Sequence, residues 1–219
     1  MVLWRGFLLF ICFFFSGCAS LIVEEPIYTY AEREGERQKK LERGEAKPPK
    51  FKYFSVYSDE EFQDNHFVPS GFMGDTTDLK TSTAFGEKAY SGKTCLKVTY
   101  LARGEKGWAG IYWQEPQGNW GNMPGGYDLT GAKRLTFWAR GEIGGEKLAE
   151  CKVGGITGPY GDSDVAWIGP VTLRRNWRRY AIDLRGKDLN HIIGGFSFSV
   201  NRYDNPGGCT FYLDEIRFE

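Results

Sequence analysis

The sequence has few histidines and no net charge. Only two histidines occur among 219 residues, and 28 lysines and arginines balance 28 aspartates and glutamates. A chain without a basic excess lacks the usual electrostatic footprint of a general nucleic-acid binder, so we expect no nucleic-acid partner. Neither His66 nor His191 belongs to a cluster with zinc-ligand spacing, and there is no nucleophile-elbow motif or phosphate-binding glycine loop before a helix. These absences favour a non-catalytic protein.

Long apolar runs are scarce as well. The run at residues 7–15, which follows Arg5, is shorter than the roughly 20 apolar residues that a membrane-spanning helix needs. Its length, its basic start and the small residues after it are typical of a secretory signal. We therefore predict that residues 1–17 are a signal peptide.

The end of this signal carries a cysteine. Phe15-Ser16-Gly17-Cys18 resembles the bacterial lipoprotein box, although Phe15 stands where leucine is usual. The resemblance implies that Cys18 is lipidated and becomes the mature N-terminus. Ala19 behind it implies attachment at the outer membrane or cell envelope rather than retention at the inner membrane. The alternatives are an ordinary cleaved signal with an incidental cysteine, or an uncleaved anchor.

Cysteine is otherwise too rare for a disulfide framework. Once Cys12 leaves with the signal and Cys18 takes a lipid, Cys95, Cys151 and Cys209 remain. Because three is odd, at most one disulfide can form and one thiol stays free. The hydrophobic core must therefore supply the stability of the fold.

Residues 18–50 are predicted to be the lipidated N-terminus and a charged linker. Seven acidic and seven basic side chains lie between residues 24 and 50, without a sustained apolar stripe. Residues 31–47 could form a solvated helix, which Pro48 and Pro49 would end. A helix that binds a partner is the alternative to a plain spacer.

Beyond residue 50 the hydrophobic pattern has a period of two, the pattern of half-buried strands. Glycine-rich turn clusters separate these segments, and no convincing helical period occurs. We predict an all-β domain over residues 51–219, a β-sandwich. The alternating segments are 95–100, 108–114, 135–140, 149–153, 178–184, 196–201 and 211–218.

The faces that point away from the predicted core carry aromatic rings and planar polar groups. Trp and Tyr rings can stack on the apolar C–H patches of sugars, while Arg, Glu, Gln and Asn pair with sugar hydroxyls. We assign Trp113 and Trp177 to the core, and the alternative is that every remaining tryptophan packs in the core or under loops. The predicted carbohydrate-binding residues are Tyr112, Gln114, Trp120, Trp138, Arg140, Glu150, Lys152 and Asn201.

An ordered series of loose motifs over residues 51–219 resembles bacterial carbohydrate-binding modules of the galactose-binding-like class. The resemblance implies a jelly-roll β-sandwich that binds glycans on a sheet face or at loop tips. The segments that carry it include 107–114, 124–129, 135–141, 176–184 and 211–218.

The same resemblance implies a structural calcium ion near the final strand. Asp214 matches the position of the acidic ligand in that strand. Calcium prefers six to eight oxygen ligands, and Asp59, Asp75 and Asp78 lie in a turn-rich stretch that could supply more of them.

We therefore predict a secreted, lipid-anchored, monomeric β-sandwich that binds an oligo- or polysaccharide without transforming it. One alternative is a structural sandwich whose exposed aromatic residues bind another protein. A jelly-roll glycoside hydrolase or polysaccharide lyase is the other, although only Glu150 suggests one of the two carboxylates that a hydrolase needs.

Overall fold

The computed structural model describes residues 39, 42–44, 51–59 and 62–219. The chain divides into two units, Met1–Pro49 and Lys50–Glu219. The predicted signal, Cys18 and nearly all of the linker lie outside the described residues. Within the linker, the backbone N–H of Arg43 donates to the Lys39 carbonyl at 3.2 Å, which is a helical i to i−4 hydrogen bond. In the described part of the chain, no helix has the length and apolar character required to cross a membrane.

The domain is a sandwich of two antiparallel sheets, as the sequence predicts. The strands of the six-stranded sheet are β1 (Phe54–Tyr57), β3 (Leu79–Phe85), β4 (Thr94–Tyr100), β6 (Arg134–Gly141), β11 (Arg178–Asp183) and β13 (Cys209–Phe218). Their order is β11-β6-β13-β4-β3, with β1 beside β13.

The strands of the five-stranded sheet are β2 (Val68–Gly74), β5 (Trp108–Gln114), β8 (Glu150–Gly154), β9 (Val165–Ile168) and β12 (Gly194–Asn201). Their order is β2-β5-β12-β8-β9. A small third sheet pairs β7 (Lys147–Leu148) with β10 (Val171–Thr172), and two short 3-10 turns occupy Thr76–Asp78 and Gly86–Lys88.

The core lies between the two large sheets. The predicted phase of β5 is confirmed, because Ala109, Ile111 and Trp113 are fully buried. Rings from opposite sheets meet across the sandwich, as between Phe198 and Phe211, whose centroids are 5.2 Å apart at 89°. Burying each such ring stabilises the fold by about 1.5–3 kcal/mol relative to leaving it exposed.

The sheet order separates two of the predicted site residues from the others. Trp138 and Arg140 lie on β6 in the six-stranded sheet, whereas the other predicted strand residues of the site lie in the five-stranded sheet. The predicted residues therefore do not all lie on one sheet face. Alternation separates inward from outward positions but carries no information on which strand belongs to which sheet.

The core assignment of Trp177 also needs correction. This ring is half-buried and packs beside Tyr212 and Cys95 on the outer side of the six-stranded sheet, outside the main core. Trp177 directly precedes β11, an edge strand, so its ring covers the sheet from outside instead of entering the sandwich.

All three cysteines of the domain are free thiols. Burial raises the pKa of the Cys95 and Cys209 thiols to about 12, and burial raises that of Cys151 as well. The thiolate is the reactive form of cysteine, so these side chains behave as small apolar residues.

Candidate functional site

The outer face of the five-stranded sheet carries a row of side-chain positions in register across all five strands. In strand order the row is Gly71, Tyr112, Ser197, Lys152 and Trp167. Neighbouring strands lie about 4.8 Å apart, so the row spans about 19 Å. It is long enough to follow an extended chain of several sugar rings.

The adjacent row has short side chains at its centre. It runs Met73, Gly110, Ser199 and Glu150, with two small residues between two longer side chains. At Gly110 a Cβ atom would lie 2.5 Å from the Phe198 carbonyl oxygen, so no larger residue fits there. The two rows therefore form a shallow trough whose floor is glycine and serine.

Tyr112 lies beside this floor and does not offer an open ring. Its side chain is only 4% exposed, and its hydroxyl donates to the Gly154 carbonyl at 3.0 Å. The Lys152 ammonium lies 5.6 Å from its ring centroid, and the edge of Trp120 meets it at 5.9 Å and 84°. Burial raises the pKa of Tyr112, so the phenol stays protonated and acts as a donor. Tyr112, which we predicted to contact sugar, instead packs against Lys152 and Trp120.

Gln114 is likewise structural. It is fully buried, where it donates to the Asn119 carbonyl at 2.8 Å and accepts from the Ser70 hydroxyl at 3.0 Å. Asn119 is also fully buried, and its side-chain amide bonds to the backbone of Met123 and Gly121. These bonds fix the loop between β5 and β6 that presents Trp120.

Trp120 is an exposed aromatic residue next to Tyr112, at one margin of the trough, with 44% of its surface accessible. Its loop is clasped to the loop between β8 and β9, because the Tyr160 N–H donates to the Gly121 carbonyl at 3.0 Å. A Cβ atom at Gly121 would lie 2.1 Å from the Thr157 carbonyl oxygen, and the glycine has a φ of +86°. Only glycine allows the two loops to approach this closely.

His191 connects the same two loops through a second set of contacts. Its Nδ1 lies 2.8 Å from the Gly161 carbonyl oxygen and its Nε2 lies 2.8 Å from that of Gly125. Asp162 supports the same region by accepting the backbone N–H groups of Ile156 and Ile193. The loop that carries Trp120 is thus connected to the β8–β9 loop at Gly121 and, through His191, at Gly125.

Trp167 stands at the opposite side of the trough, on the edge strand β9, and is 60% exposed. Beside it Lys152 and Glu150 form an ion pair at 3.0 Å. Burial disfavours the Lys152 charge, but Glu150 and Tyr112 outweigh burial, so the pKa of Lys152 is raised. The trough therefore offers one cation and one carboxylate next to an open indole face.

Trp108 is the first residue of β5 and lies at the other end of that strand from the Trp120 loop. It is 39% exposed and is the register partner of Asn201. The Asn201 amide donates to the Asp204 carboxylate at 3.0 Å and accepts the Asp204 N–H at 2.7 Å. Asn201 thus lies on the predicted face, but its amide is used to close the turn after β12.

Sequence reasoning missed Trp167 and Trp108 as surface aromatics. Trp167 lies in the run Val165 to Ile168, which is apolar at every position, so its pattern gives no inward or outward phase. Trp108 begins its strand, and its outward phase follows from Ala109, but a strand's first residue can also lie in the preceding loop.

The acids proposed as calcium ligands are held by backbone N–H donors. Asp214 and Asp59 both accept such bonds from the segment 90–94, at 2.7 to 3.2 Å. Burial raises the pKa of Asp214 to about 7, although the N–H donors of Ser91 and Tyr90 oppose that rise. N–H groups cannot ligate a cation, so these contacts fix the loop.

Asp75 and Asp78 act on a different segment. They accept backbone N–H groups of residues 103–107 at 2.7 to 3.2 Å. Within the described ranges, no group of three or more His, Cys, Asp or Glu side chains is arranged to hold a metal ion. The four acids, as placed, do not fit the converging oxygen set that calcium requires.

The fold is that of known carbohydrate-binding modules. Two crystal structures of family 30 carbohydrate-binding modules superpose with TM-scores of 0.54, at 17% and 16% identity, over 77% of this chain and 98% and 88% of theirs. A third, from a cellulosomal cellulase of Clostridium thermocellum, gives a TM-score of 0.51 at 17% identity, over 77% of this chain and 97% of its own. At these identities the likeness shows a shared β-sandwich fold. No protein-family model and no curated protein matches the sequence.

Proposed function

We propose that the outer face of the five-stranded sheet binds an oligo- or polysaccharide without chemical transformation. The observation that carries this proposal is the glycine- and serine-floored trough between two exposed indoles, Trp120 and Trp167. The ring faces of a sugar chain are flat and weakly apolar, and its hydroxyl groups at the edges are polar. A shallow floor with aromatic and hydrogen-bonding side chains at its margins complements both parts. The similarity in fold to carbohydrate-binding modules supports the same proposal.

Each margin of the trough has a separate part in binding. The indoles of Trp120 and Trp167 stack on sugar rings, while Glu150 accepts and Lys152 donates hydrogen bonds to hydroxyls. The Lys152–Glu150 pair is already formed at 3.0 Å, so binding needs little reorganisation of either side chain.

Non-catalytic binding also fits the charges of the trough. Among its described rows, Glu150 is the single carboxylate, and Lys152 neutralises it. A glycoside hydrolase needs two carboxyl groups about 5 to 9.5 Å apart, one of them available as an acid. We therefore propose capture of the glycan rather than cleavage.

We further propose that a lipid on Cys18 anchors the protein and that the charged linker to residue 50 holds the domain away from the membrane. The seven acidic and seven basic side chains between residues 24 and 50 keep such a spacer solvated. The glycan would then be held at the cell envelope. Radiolabelled palmitate incorporation into the wild type, and its loss in Cys18→Ser, would support the anchor.

The test of glycan binding uses the full chain and a panel of neutral soluble polysaccharides in affinity electrophoresis and calorimetry. We expect Trp167→Ala and Trp120→Ala each to weaken binding about tenfold, since a stacked ring contributes on the order of 1–2 kcal/mol. Phe85→Ala is the matched control. Phe85 is 69% exposed at the end of β3 in the other sheet, so its loss should leave binding unchanged.

Two results would count against the proposal. If no glycan of the panel binds the wild type at millimolar concentration, the trough is not a carbohydrate site. If incubation releases reducing ends or unsaturated products, the face is catalytic rather than a passive binder.

A further inference from the structure

A second aromatic surface lies on the outer side of the six-stranded sheet. Tyr90 stacks flat on Trp138, with ring centroids 3.7 Å apart and an interplanar angle of 15°. Trp177 meets Tyr90 edge-on at 6.0 Å. Tyr90 is 41% exposed, so its ring, which Trp138 supports from one side, presents an open surface to solvent.

Three carboxylates hold the loop that carries Tyr90 and connects β3 to β4. Asp214 accepts the backbone N–H groups of Tyr90 and Ser91, at 2.9 and 3.2 Å. Asp59 accepts two further N–H groups of the same segment, at 3.0 and 2.7 Å. Glu215 accepts the Ser91 hydroxyl at 2.6 Å. The Tyr90 ring is therefore fixed before a ligand arrives, which lowers the entropic cost of binding.

An irregularity in β13 brings Glu215 to the same side. The pairing register of β13 with β6 shifts between Asp214 and Arg217. Glu215 has a φ of +48°, in the left-handed region that costs a residue other than glycine about 1–3 kcal/mol. The next residue, Ile216, is fully buried in the core, whereas the Glu215 carboxylate contacts Ser91 and Arg217 outside it. Bulges that re-aim a side chain in this way are over-represented next to active sites.

A cleft of about 420 Å³ lies beside the Tyr90 ring. Its size is within the range of small-molecule sites. It combines two stacked rings with a hydroxyl, a carboxylate and two guanidinium groups. Its walls are Tyr90, Ser91, Trp138, Arg179, Glu215 and Arg217.

The charges of the cleft are balanced by ion pairs. Arg217 pairs with Glu215 at 3.1 Å and with Glu219 at 3.0 Å. Arg179 pairs with Glu219 at 2.5 Å. Within the described residues, these contacts leave Nε and Nη1 of Arg179 and Nη2 of Arg217 without an acceptor, and the two side chains are 39% and 36% exposed. The cleft therefore offers free N–H donors without an excess of positive charge.

We propose that this cleft is a second saccharide site, which binds a short uncharged sugar unit on the opposite side of the sandwich from the trough. The apolar C–H face of the sugar packs on the open ring of Tyr90. Arg179 and Arg217 donate hydrogen bonds to its hydroxyl oxygens, and Glu215 accepts from a hydroxyl at Oε2, where Arg217 is its only partner among the described residues.

The size and chemistry of the cleft favour a sugar over other partners. A stable protein partner would cover about 800 Å² of this chain, whereas the open aromatic surface here is one tyrosine ring beside a small cleft. The balanced ion pairs give no preference for an anion. An uncharged sugar combines an apolar ring face with hydroxyls that both donate and accept, and the ring, the free N–H groups and the carboxylate of the cleft complement each of these parts.

The experiment is an NMR titration of the ¹⁵N-labelled full chain with short cello-, manno- and xylo-oligosaccharides, and with trigalacturonate as the anionic comparison. It is run on the wild type and on Trp120→Ala/Trp167→Ala, which lacks both indoles of the trough. In both proteins we expect a neutral oligosaccharide to shift the amide signals of Tyr90 and Ser91 and the indole N–H signal of Trp138. Tyr90→Ala should weaken this binding about fivefold or more, and Tyr90→Phe, which keeps the ring, should stay within about twofold of the wild type.

Each variant has a matched control. Tyr203→Ala removes a tyrosine that is 94% exposed and does not line the cleft, so it should leave the binding unchanged. Arg179→Gln should weaken binding several-fold, whereas Arg134→Gln, which removes another ion-pair partner of Glu219 outside the cleft, should not. Added salt should have little effect, because the ligand carries no charge to be screened.

The proposal is overturned if none of the neutral oligosaccharides shifts the signals of the cleft at millimolar concentration, or if Tyr90→Ala binds like the wild type. It is equally overturned if trigalacturonate binds more tightly than the neutral sugars. Shifts at the cleft without any shift at Trp167 or Lys152 would support this site and count against the trough alone, so the two failures are distinguishable.

Discussion

Tyr112 and Trp167 lie in the same row of the five-stranded sheet, yet one is 4% and the other 60% exposed. The difference follows from position, because β5 lies within the sheet beneath the Trp120 loop and β9 is at its edge. An aromatic residue on a central strand is therefore covered by its neighbours, and the indole at the edge keeps an open face. The open aromatic faces therefore lie at the margins of the trough.

Asp214 is a buried carboxylate with an unusual titration. Burial and the nearby Glu215 charge raise its pKa from 3.8 to about 7, while the N–H groups of Ser91, Tyr90 and Glu215 act in the opposite direction. A group whose pKa is higher in the folded state binds a proton more tightly when folded. Its contribution to stability is therefore present at low pH and is lost as the pH rises toward 7.

We predict that Asp214→Asn changes the pH dependence of stability. Between about pH 5 and about pH 8, the wild type should lose on the order of 1–3 kcal/mol of unfolding free energy relative to the variant. Urea unfolding of both proteins at the two pH values measures this difference. Parallel pH profiles would show that Asp214 is ionised throughout this range. Any fixed cost of the amide against the N–H donors cancels in the comparison.

The loops that flank the trough act as one element. The His191 ring lies between two carbonyl oxygens, with Nδ1 2.8 Å from that of Gly161 and Nε2 2.8 Å from that of Gly125. The ring therefore connects the loop of Trp120 to the neighbouring loop. This contact positions the loop that carries Trp120.

We predict that His191→Phe loosens both loops without unfolding the sandwich. Loss of the hydrogen bonding of the His191 ring should cost about 1–3 kcal/mol. Amide hydrogen exchange should accelerate in residues 120–126 and 156–162, and glycan affinity should fall several-fold while Trp167→Ala remains additive to the change. His66→Phe is the control, because His66 bonds the Ser55 carbonyl outside both loops. If amide hydrogen exchange in these loops were unchanged in His191→Phe, His191 would not hold the two loops together.

Strand prediction succeeded where alternation was clear and failed where it was not. β4, β6, β8, β12 and β13 were all predicted from their period of two, and the structure confirms them. β2 was missed because Pro69, Gly71 and Gly74 break its pattern. Its glycine at 71 is required by packing, since a Cβ atom there would lie 2.8 Å from the Gln114 side chain. Such a requirement arises from the neighbouring strand and leaves no periodic signal.

The predicted calcium ion concerns the stability of the whole domain. Asp214 and Asp59 hold one loop and Asp75 and Asp78 hold another, each through backbone N–H donors. Since these acids do not converge, we predict that a chelator changes the melting temperature of the full chain by less than about 1 °C. A marked fall on chelation that is reversed by added calcium, but not by magnesium, would instead establish a structural calcium site.

Charge is distributed unevenly over the whole molecule. The sequence totals 28 basic and 28 acidic residues, which excluded a general basic surface. Folding nevertheless places Arg140, Lys97 and Lys88 around Tyr212, whose hydroxyl also donates to Glu142. Net charge is a sum and does not record where the charges lie. A local electrostatic field therefore becomes apparent only in the folded domain.

The class of the fold, the inward phase of its strands and the lack of a disulfide framework follow from the amino-acid sequence alone. Each of these depends on local periodicity or on counting. The pairing of strands is needed to show that Trp138 and Arg140 lie on the opposite sheet from Lys152, and that Trp167 flanks the trough. The reason is that sheet order and register come from pairing between strands distant in the chain, and side-chain exposure depends on which loops then cover each face.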